Sequence, residues 1–360
     1  MDNEEKRFLL AALPALLSPP PDITEFLQNL MGIIFVISKP PPDCDPLQGR
    51  RYRLHENAVH LWEGRDVFSL FSDHPYGFFQ ITGETPETML SMLDEMPMLF
   101  HRNKREEHKL SPRNRVLLYL LWIRTYPSYH MLSMIFDVSV ETVKNEIKCM
   151  TPIFHNLFAS LVTWPSIPEW QSMRNNWPNL PTAVGAIDGT STEIYRPMIE
   201  PQHHYYSGHR HYHAIHSQVV IDNTGEIHHI ECGFLGHQND AQQFRLMRQI
   251  GQDLPFPQNC VLLGDKIYPN GHPVITPFTQ AQIRRKPDRL QRKCRKFNRT
   301  LSEYRVLVEH VIGELKCYKV IGTLWRHPRT KLKRVAEICL LCRRRQLNKT
   351  KLTIFFLFQF

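Results

Sequence analysis

Two short apolar runs in the second half of the chain each lead to an aspartate. Ala183–Ile187 stops at Asp188, before Gly189-Thr190, and Cys260–Leu263 passes through Gly264 to Asp265. Runs of this length, bounded by turn residues, read as buried strands. Between them, Ala214–Ile221 and Ile227–Cys232 flank Asp222-Asn223-Thr224-Gly225, a hairpin-turn sequence. Asp240–Ile250 reads as a helix, and a second helix over Ser302–Lys316 follows the strand at 260–263. The order β-β-β-α-β makes this half an α/β unit built on a mixed sheet. In such sheets the carboxyl ends of strands collect ligands and catalytic groups. Two aspartates on neighbouring strands offer the oxygen ligands that suit Mg²⁺ or Mn²⁺. Taken singly, each also reads as a turn or cap residue.

A third carboxylate should come from the helix over Ser302–Lys316. Leu301, Tyr304, Val308, Val311, Ile312 and Leu315 form its apolar stripe, with Glu309 on one flank and Glu314 on the other. Periodicity does not choose between them. Gly313, four residues after Glu309, would let a neighbouring backbone approach that side and so favours Glu309. Asp240 reads as a helix N-cap, with a position near the metal as the alternative.

Charge separates along the chain. Net charge is +9, but residues 281–360 hold 22 Lys+Arg against 5 Asp+Glu, leaving −8 for the other 280 residues. Such asymmetry points to a polyanion, nucleic acid first, although membrane surfaces attract the same charge. No apolar run reaches the roughly 18 residues that span a bilayer. Phe8–Leu17 is short and follows acidic residues, so neither a membrane span nor a cleavable signal is expected. The densest cations are Arg284, Arg285, Lys286, Arg289, Arg292, Lys293, Arg295, Lys296 and Arg299, nine against one acid within 16 residues. They are expected to hold a phosphate backbone, as a loop or a helix beside the site; a solvated face or a nuclear-import signal is the alternative.

The first half reads as helical. Pro19–Pro21 and Pro40–Pro42 bracket an apolar stretch at Phe26–Ile37, and a helix is expected at Met89–Phe100, before a charged linker at His101–Lys109. Ser111 caps and Pro112 opens a helix through Arg113–Thr125. Ser128–Phe136 and Val140–Met150, joined by Asp137-Val138-Ser139, form a helix-turn-helix or an ordinary helical hairpin. The last of these helices offers Lys144 and Lys148 to DNA. Two zinc readings are weaker. Cys339 and Cys342 make a single Cys-x-x-Cys pair where zinc wants four ligands. The histidines at 203, 204, 209, 211, 213 and 216 cluster, with His211 and His213 on one face if extended.

Five blocks carry a resemblance: V-G-A-I-D-G-T, Y-Y-S-G-H-R-H-Y-H-A-I-H-S-Q-V-V-I-D-N-T-G, G-F-L-G-H-Q-N-D-A-Q-Q-F, L-L-G-D-K-I-Y-P and V-E-H-V-I-G-E-L-K. In this order, over roughly residues 180–325, the chain resembles the DDE endonuclease domain of PIF/Harbinger transposases. The resemblance implies a ribonuclease H-like fold with Asp188, Asp265 and Glu309 as catalytic, metal-holding triad and Asp240 as auxiliary. It implies two Mg²⁺ or Mn²⁺ ions, DNA as substrate, a Myb-like DNA-binding partner, a homodimer and a nuclear or cytoplasmic location without a membrane. Two departures stand out: Ser191 lies where the family often has His, and the chain closes in T-I-F-F-L-F-Q-F. The organisation expected is a helical region at 1–109, a helix-turn-helix-like domain at 110–178, a nuclease domain at 179–345 with a basic insertion at 284–299, and a tail at 346–360. The rivals are a host-adapted protein that binds DNA or a partner without transposition, and a zinc hydrolase built on the histidines.

Overall fold

The computed structural model describes residues 66–96, 99, 110–159, 163–340 and 342. The chain divides into Met1–Glu63 and Gly64–Phe360, and all of the described residues lie in the second unit. The expectations for 19–42, for the linker at 101–109 and for the tail at 346–360 lie outside them.

Helices come first: α1 (Val67–Ser72), α2 (Pro75–Thr82), α3 (Pro86–Asp94), α4 (Pro112–Thr125), α5 (Tyr129–Phe136), α6 (Val140–Ala159) and α7 (Ile167–Ser172). The helix expected at Met89–Phe100 is α3, displaced toward the N-terminus because the Thr85 side chain caps it and Pro86 suits its first turn. Ser111 caps α4 by accepting the Asn114 N–H at 3.2 Å. Asp137, in the left-handed region at φ 53°, ends α5 and turns the chain into α6. α6 runs on past Met150, through Pro152, to Ala159.

A buried ion pair ties α4 to α6: Arg115 Nε lies 2.7 Å from Glu146 Oε2, with side chains 4% and 11% exposed. Arg115→Met strips the guanidinium from a buried carboxylate and is expected to cost about 3–5 kcal/mol. Urea unfolding would show this as a lower midpoint with an unchanged slope.

The sheet is mixed. β1 (Ala183–Glu193), β2 (Tyr206–Ser207), β3 (Tyr212–Asp222), β4 (Ile227–Leu235), β5 (Val261–Leu263) and β6 (Val274–Ile275) are joined in the order β2-β3-β1-β5-β6, with β4 also on β3. β1 is antiparallel to β3 and parallel to β5, and β6 is parallel to β5. The Asp222–Gly225 turn forms as expected, with Gly225 at φ 84°. β1 extends six residues past Ile187, because Asp188–Glu193 pair across to Val219–Ala214 of β3 although their side chains are polar.

The remaining α-helices among the described residues are α8 (Gln202–Tyr205), α9 (Asp240–Leu246), α10 (Gln280–Arg284), α11 (Asp288–Lys316), α12 (Lys319–Gly322) and a helical stretch over 332–340. α9 stops at Leu246, short of Ile250, because Gln249 Nε2 donates to the carbonyls of Phe244, Arg245 and Met247 and takes over their satisfaction. α11 begins at Asp288 rather than Ser302, so most of the basic residues are helical: Arg284 ends α10, Arg285 and Lys286 lie in the short connection, and the other six fill the first turns of α11. Cys294, Leu301, Val308, Val311 and Leu315 form its buried stripe. Trp170 of α7, Val184, Ile187, Val220, Phe244, Leu262 and Val274 share a core cluster. No helix among the described residues is long and apolar enough to cross a membrane.

Candidate active site

The register of β1 on β5 brings Asp188, within β1, and Asp265, just past β5, to one level. Ala186 is paired with Leu263, and each lies two residues before its aspartate, Asp188 and Asp265. Asp240 reaches the same place from α9. Its role as the N-cap is corrected: Asn239 caps the helix, accepting the Gln242 N–H at 3.0 Å, and Asp240 falls in the first turn. Gly189 makes room for it, since a Cβ there would stand 2.1 Å from Asp240 Oδ1.

Electrostatics show that the three aspartates share one pocket of field. Burial pushes Asp188 up to about 6; the nearby Arg305 and the Gly189 N–H oppose this, while Asp240 and Asp265 add to it. Burial also raises Asp240, against the Gln218 amide and His216, and Asp265 raises it further. Carboxylates held this way are short of positive charge, the condition a bound cation relieves.

Gln218, fully buried on β3 opposite Gly189, organises the floor. Its Nε2 donates to Asp240 Oδ1 at 3.2 Å and to Gln243 Oε1 at 2.7 Å, and its Oε1 accepts the Tyr268 hydroxyl at 2.5 Å. Burial lifts the Tyr268 hydroxyl well above its ordinary pKa, and Asp240, Asp188 and Asp265 reinforce the effect, so it stays a donor.

Glu309 joins through Arg305, one turn earlier on α11. Arg305 Nη1 donates to Asp188 Oδ2 at 3.2 Å and Nη2 to Glu309 Oε1. Gly313 admits no close backbone, contrary to expectation: it is exposed, and a Cβ there meets nothing within 4 Å. The bridge to Asp188 is what distinguishes Glu309. Lys316 fixes the far end of α11 to β1 by donating to the Ser191 carbonyl, and to Ile321 O at 3.1 Å; burial, then Arg210, lowers its pKa to about 8.

Arg305, Gln218, Tyr268 and Lys316 are the site residues that sequence reasoning missed. Arg305 was detectable as the cation one turn before Glu309, and Gln218 as the polar break in H-S-Q-V-V-I-D.

The donor set is oxygen-rich and fits a hard divalent cation rather than zinc. As arranged, Arg305 bridges Asp188 and Glu309, and among the described residues no three His, Cys, Asp or Glu converge as a metal cage. The histidines form no metal-holding group among the described residues: His203 and His204 touch each other, His211 has φ 61° and stands outside β3, so it shares no extended face with His213, and His216 bonds the Gly236 carbonyl at 3.0 Å. Cys339 and Cys342 are buried free thiols.

Of the nine basic residues at 284–299, Lys286 is half-buried, its ammonium 5.6 Å from the Phe278 ring centroid, and the other eight are exposed. Lys144 and Lys148 are exposed on α6, Lys144 with Glu141 at 3.2 Å.

Residues 187–343 match the family of DDE superfamily endonucleases, and residues 108–160 match the helix-turn-helix of DDE superfamily endonucleases. The hairpin at 128–150 lies inside the segment that matches the helix-turn-helix model. Over 255 residues the chain is 24% identical to a probable transposase for insertion sequence element IS702 from Microchaete diplosiphon, covering 69% of this chain and 87% of that protein. It is 23% identical over 245 residues to Protein ALP1-like of Arabidopsis thaliana, covering 64% of this chain and 60% of that protein. No solved structure matches significantly.

Proposed function

We propose that this chain, which carries a DDE superfamily endonuclease segment behind that superfamily's helix-turn-helix, is a divalent-metal-dependent DNA endonuclease of the PIF/Harbinger transposase type. The observation that carries the reading is that the β1–β5 register sets Asp188 and Asp265 at one level, with Asp240 against Gly189 and Glu309 tied to Asp188 through Arg305. The strand order, with an antiparallel β4-β3-β1 half and a parallel β1-β5-β6 half, supports a ribonuclease H-like reading of the sheet.

Asp188, Asp265 and Glu309 would hold two Mg²⁺ or Mn²⁺ ions, with Asp240 as auxiliary. Such ions, when bound, lower the pKa of a water and stabilise the leaving oxygen of an in-line displacement. The chain's own residues do the rest. Gln218, itself fixed by the Tyr268 hydroxyl that donates to its Oε1, holds Asp240 in place through Nε2, so little reorganisation is left for the reaction. Lys316 holds the Glu309-bearing helix against β1. The exposed cations at the start of α11 lie on the same helix as Glu309 and would hold the phosphate backbone. Nuclear entry, a Myb-like DNA-binding partner and a homodimer belong to the same proposal.

Supercoiled-plasmid nicking in Mg²⁺ or Mn²⁺ tests it. Asp265→Ala should remove nicking while leaving DNA affinity within about twofold of the parent, because the carboxylates and the basic turns are separate surfaces. Metal-dependent nicking retained by that variant would count decisively against the assignment.

A further inference from the structure

Away from the carboxylates, a cavity of about 570 Å³ lies between the helix-turn-helix and the last described helical stretch. Its lining joins two kinds of side chain. Tyr129 and His327, both half-buried, stack on each other with ring centroids 5.2 Å apart and planes at 22°. Behind them lie the buried indoles of Trp122 and Trp325, 5.5 and 5.3 Å from His327. Around these rings stand Lys144 and Lys148 of α6 and Lys331, Lys333 and Arg334 from the C-terminal side, all exposed. The one lining carboxylate, Glu337, sits 3.0 Å from His155. Trp122 also keeps a buried indole N–H with no hydrogen-bond partner among the described residues, a donor that costs free energy until an acceptor reaches it.

A planar ring stack under a cationic rim matches a ligand that is at once aromatic and anionic. A phosphorylated peptide would use the lysines and leave the rings idle; a base-paired duplex would present phosphates while keeping its bases out of the cavity. We propose that this cavity takes one unpaired nucleotide of a DNA strand, its base added to the Tyr129–His327 stack and its phosphates on the lysine rim. Aromatic platforms combined with basic grooves are how proteins hold single strands. The volume falls within the range of small-molecule sites. The inference rests on the reading that the chain binds DNA, and it does not depend on the carboxylate site cutting that DNA.

The test is made with the full chain in EDTA, where cleavage plays no part, using three fluorescent probes: a thymidine single strand, an abasic strand of equal length, and a duplex. Tyr129→Ala should weaken binding of the thymidine strand roughly 5- to 150-fold. Binding of the abasic strand and of the duplex should stay unchanged, and Tyr129→Phe, which keeps the ring, should bind like the parent. The double variant Lys331→Gln/Lys333→Gln should weaken both single strands and steepen neither salt dependence. Equal losses on thymidine and abasic strands in Tyr129→Ala would overturn the proposal, as would parental affinity for the thymidine strand, or a phosphopeptide that displaces the strand at lower concentration than free thymidylate. Loss of nicking by the Asp265 variant with these affinities intact would separate this cavity from the carboxylate site.

Discussion

In metal-free buffer at pH 7, Asp188→Asn should be more stable than the parent. Burial, with Asp240 and Asp265 beside it, holds the folded carboxyl near 6 against an ordinary value of 3.8. The folded chain therefore binds this proton more tightly than the unfolded chain does. The stability that protonation contributes is fully present below about pH 3.8 and is lost as pH rises through about 6. By pH 7 the ionised group costs the folded chain roughly 3 kcal/mol. Thermal midpoints in EDTA should consequently fall from pH 4 to pH 7 more steeply for the parent than for Asp188→Asn. Mn²⁺ should restore the parent's midpoint, since a ligand that binds only the folded state stabilises it, and should do little for the variant. Parallel pH profiles for the two proteins would contradict the picture of a carboxylate held short of positive charge.

The second large effect concerns Arg305. Its guanidinium spans Asp188 and Glu309, so any cation that enters among these carboxylates shares them with it. Arg305→Gln removes that competitor along with the counter-charge. The Mn²⁺ concentration at half-maximal thermal stabilisation should drop about tenfold, the equivalent of about 1.4 kcal/mol, while the metal-free midpoint falls. Arg305→Lys, which keeps the charge, should lie near the parent on both measures. An Arg305→Gln protein with weaker Mn²⁺ binding would mean that the guanidinium builds the cation site rather than occupying it.

Much of this site could be read from residue order. Strands leading to Asp188 and Asp265 follow from short apolar runs, although β1 carries on through Asp188 to Glu193 and β5 stops at Leu263; Ser111-Pro112 marks the start of α4 to the residue. What escaped depends on contacts distant in sequence. Asp188–Glu193 extend β1 only because β3 supplies a partner strand, which no local propensity encodes. α9 ends early because one glutamine side chain takes its last carbonyls. The basic stretch at 284–299 and the helix over 302–316 look like separate elements by charge, yet Cys294 and Leu301 continue the buried stripe and make them one helix. Glu309 could not be told from Glu314 by periodicity, because both flank that stripe; the distinction lies in Arg305, whose two partners are 117 and 4 residues away. Gln218 shows in the sequence only as a polar break in an apolar strand; its place in the site follows from the sheet, which sets it opposite Gly189.

The ends left by cleavage test the central claim most directly. Supercoiled DNA nicked in Mg²⁺ should carry 3′-hydroxyls that a polymerase extends without prior treatment, and Asp188→Ala protein purified in parallel should produce no such ends above background. Nicks that need a phosphatase before extension, or equal yields of extendable ends from the parent and from Asp188→Ala, would contradict a water-attack site built on Asp188, Asp265 and Glu309.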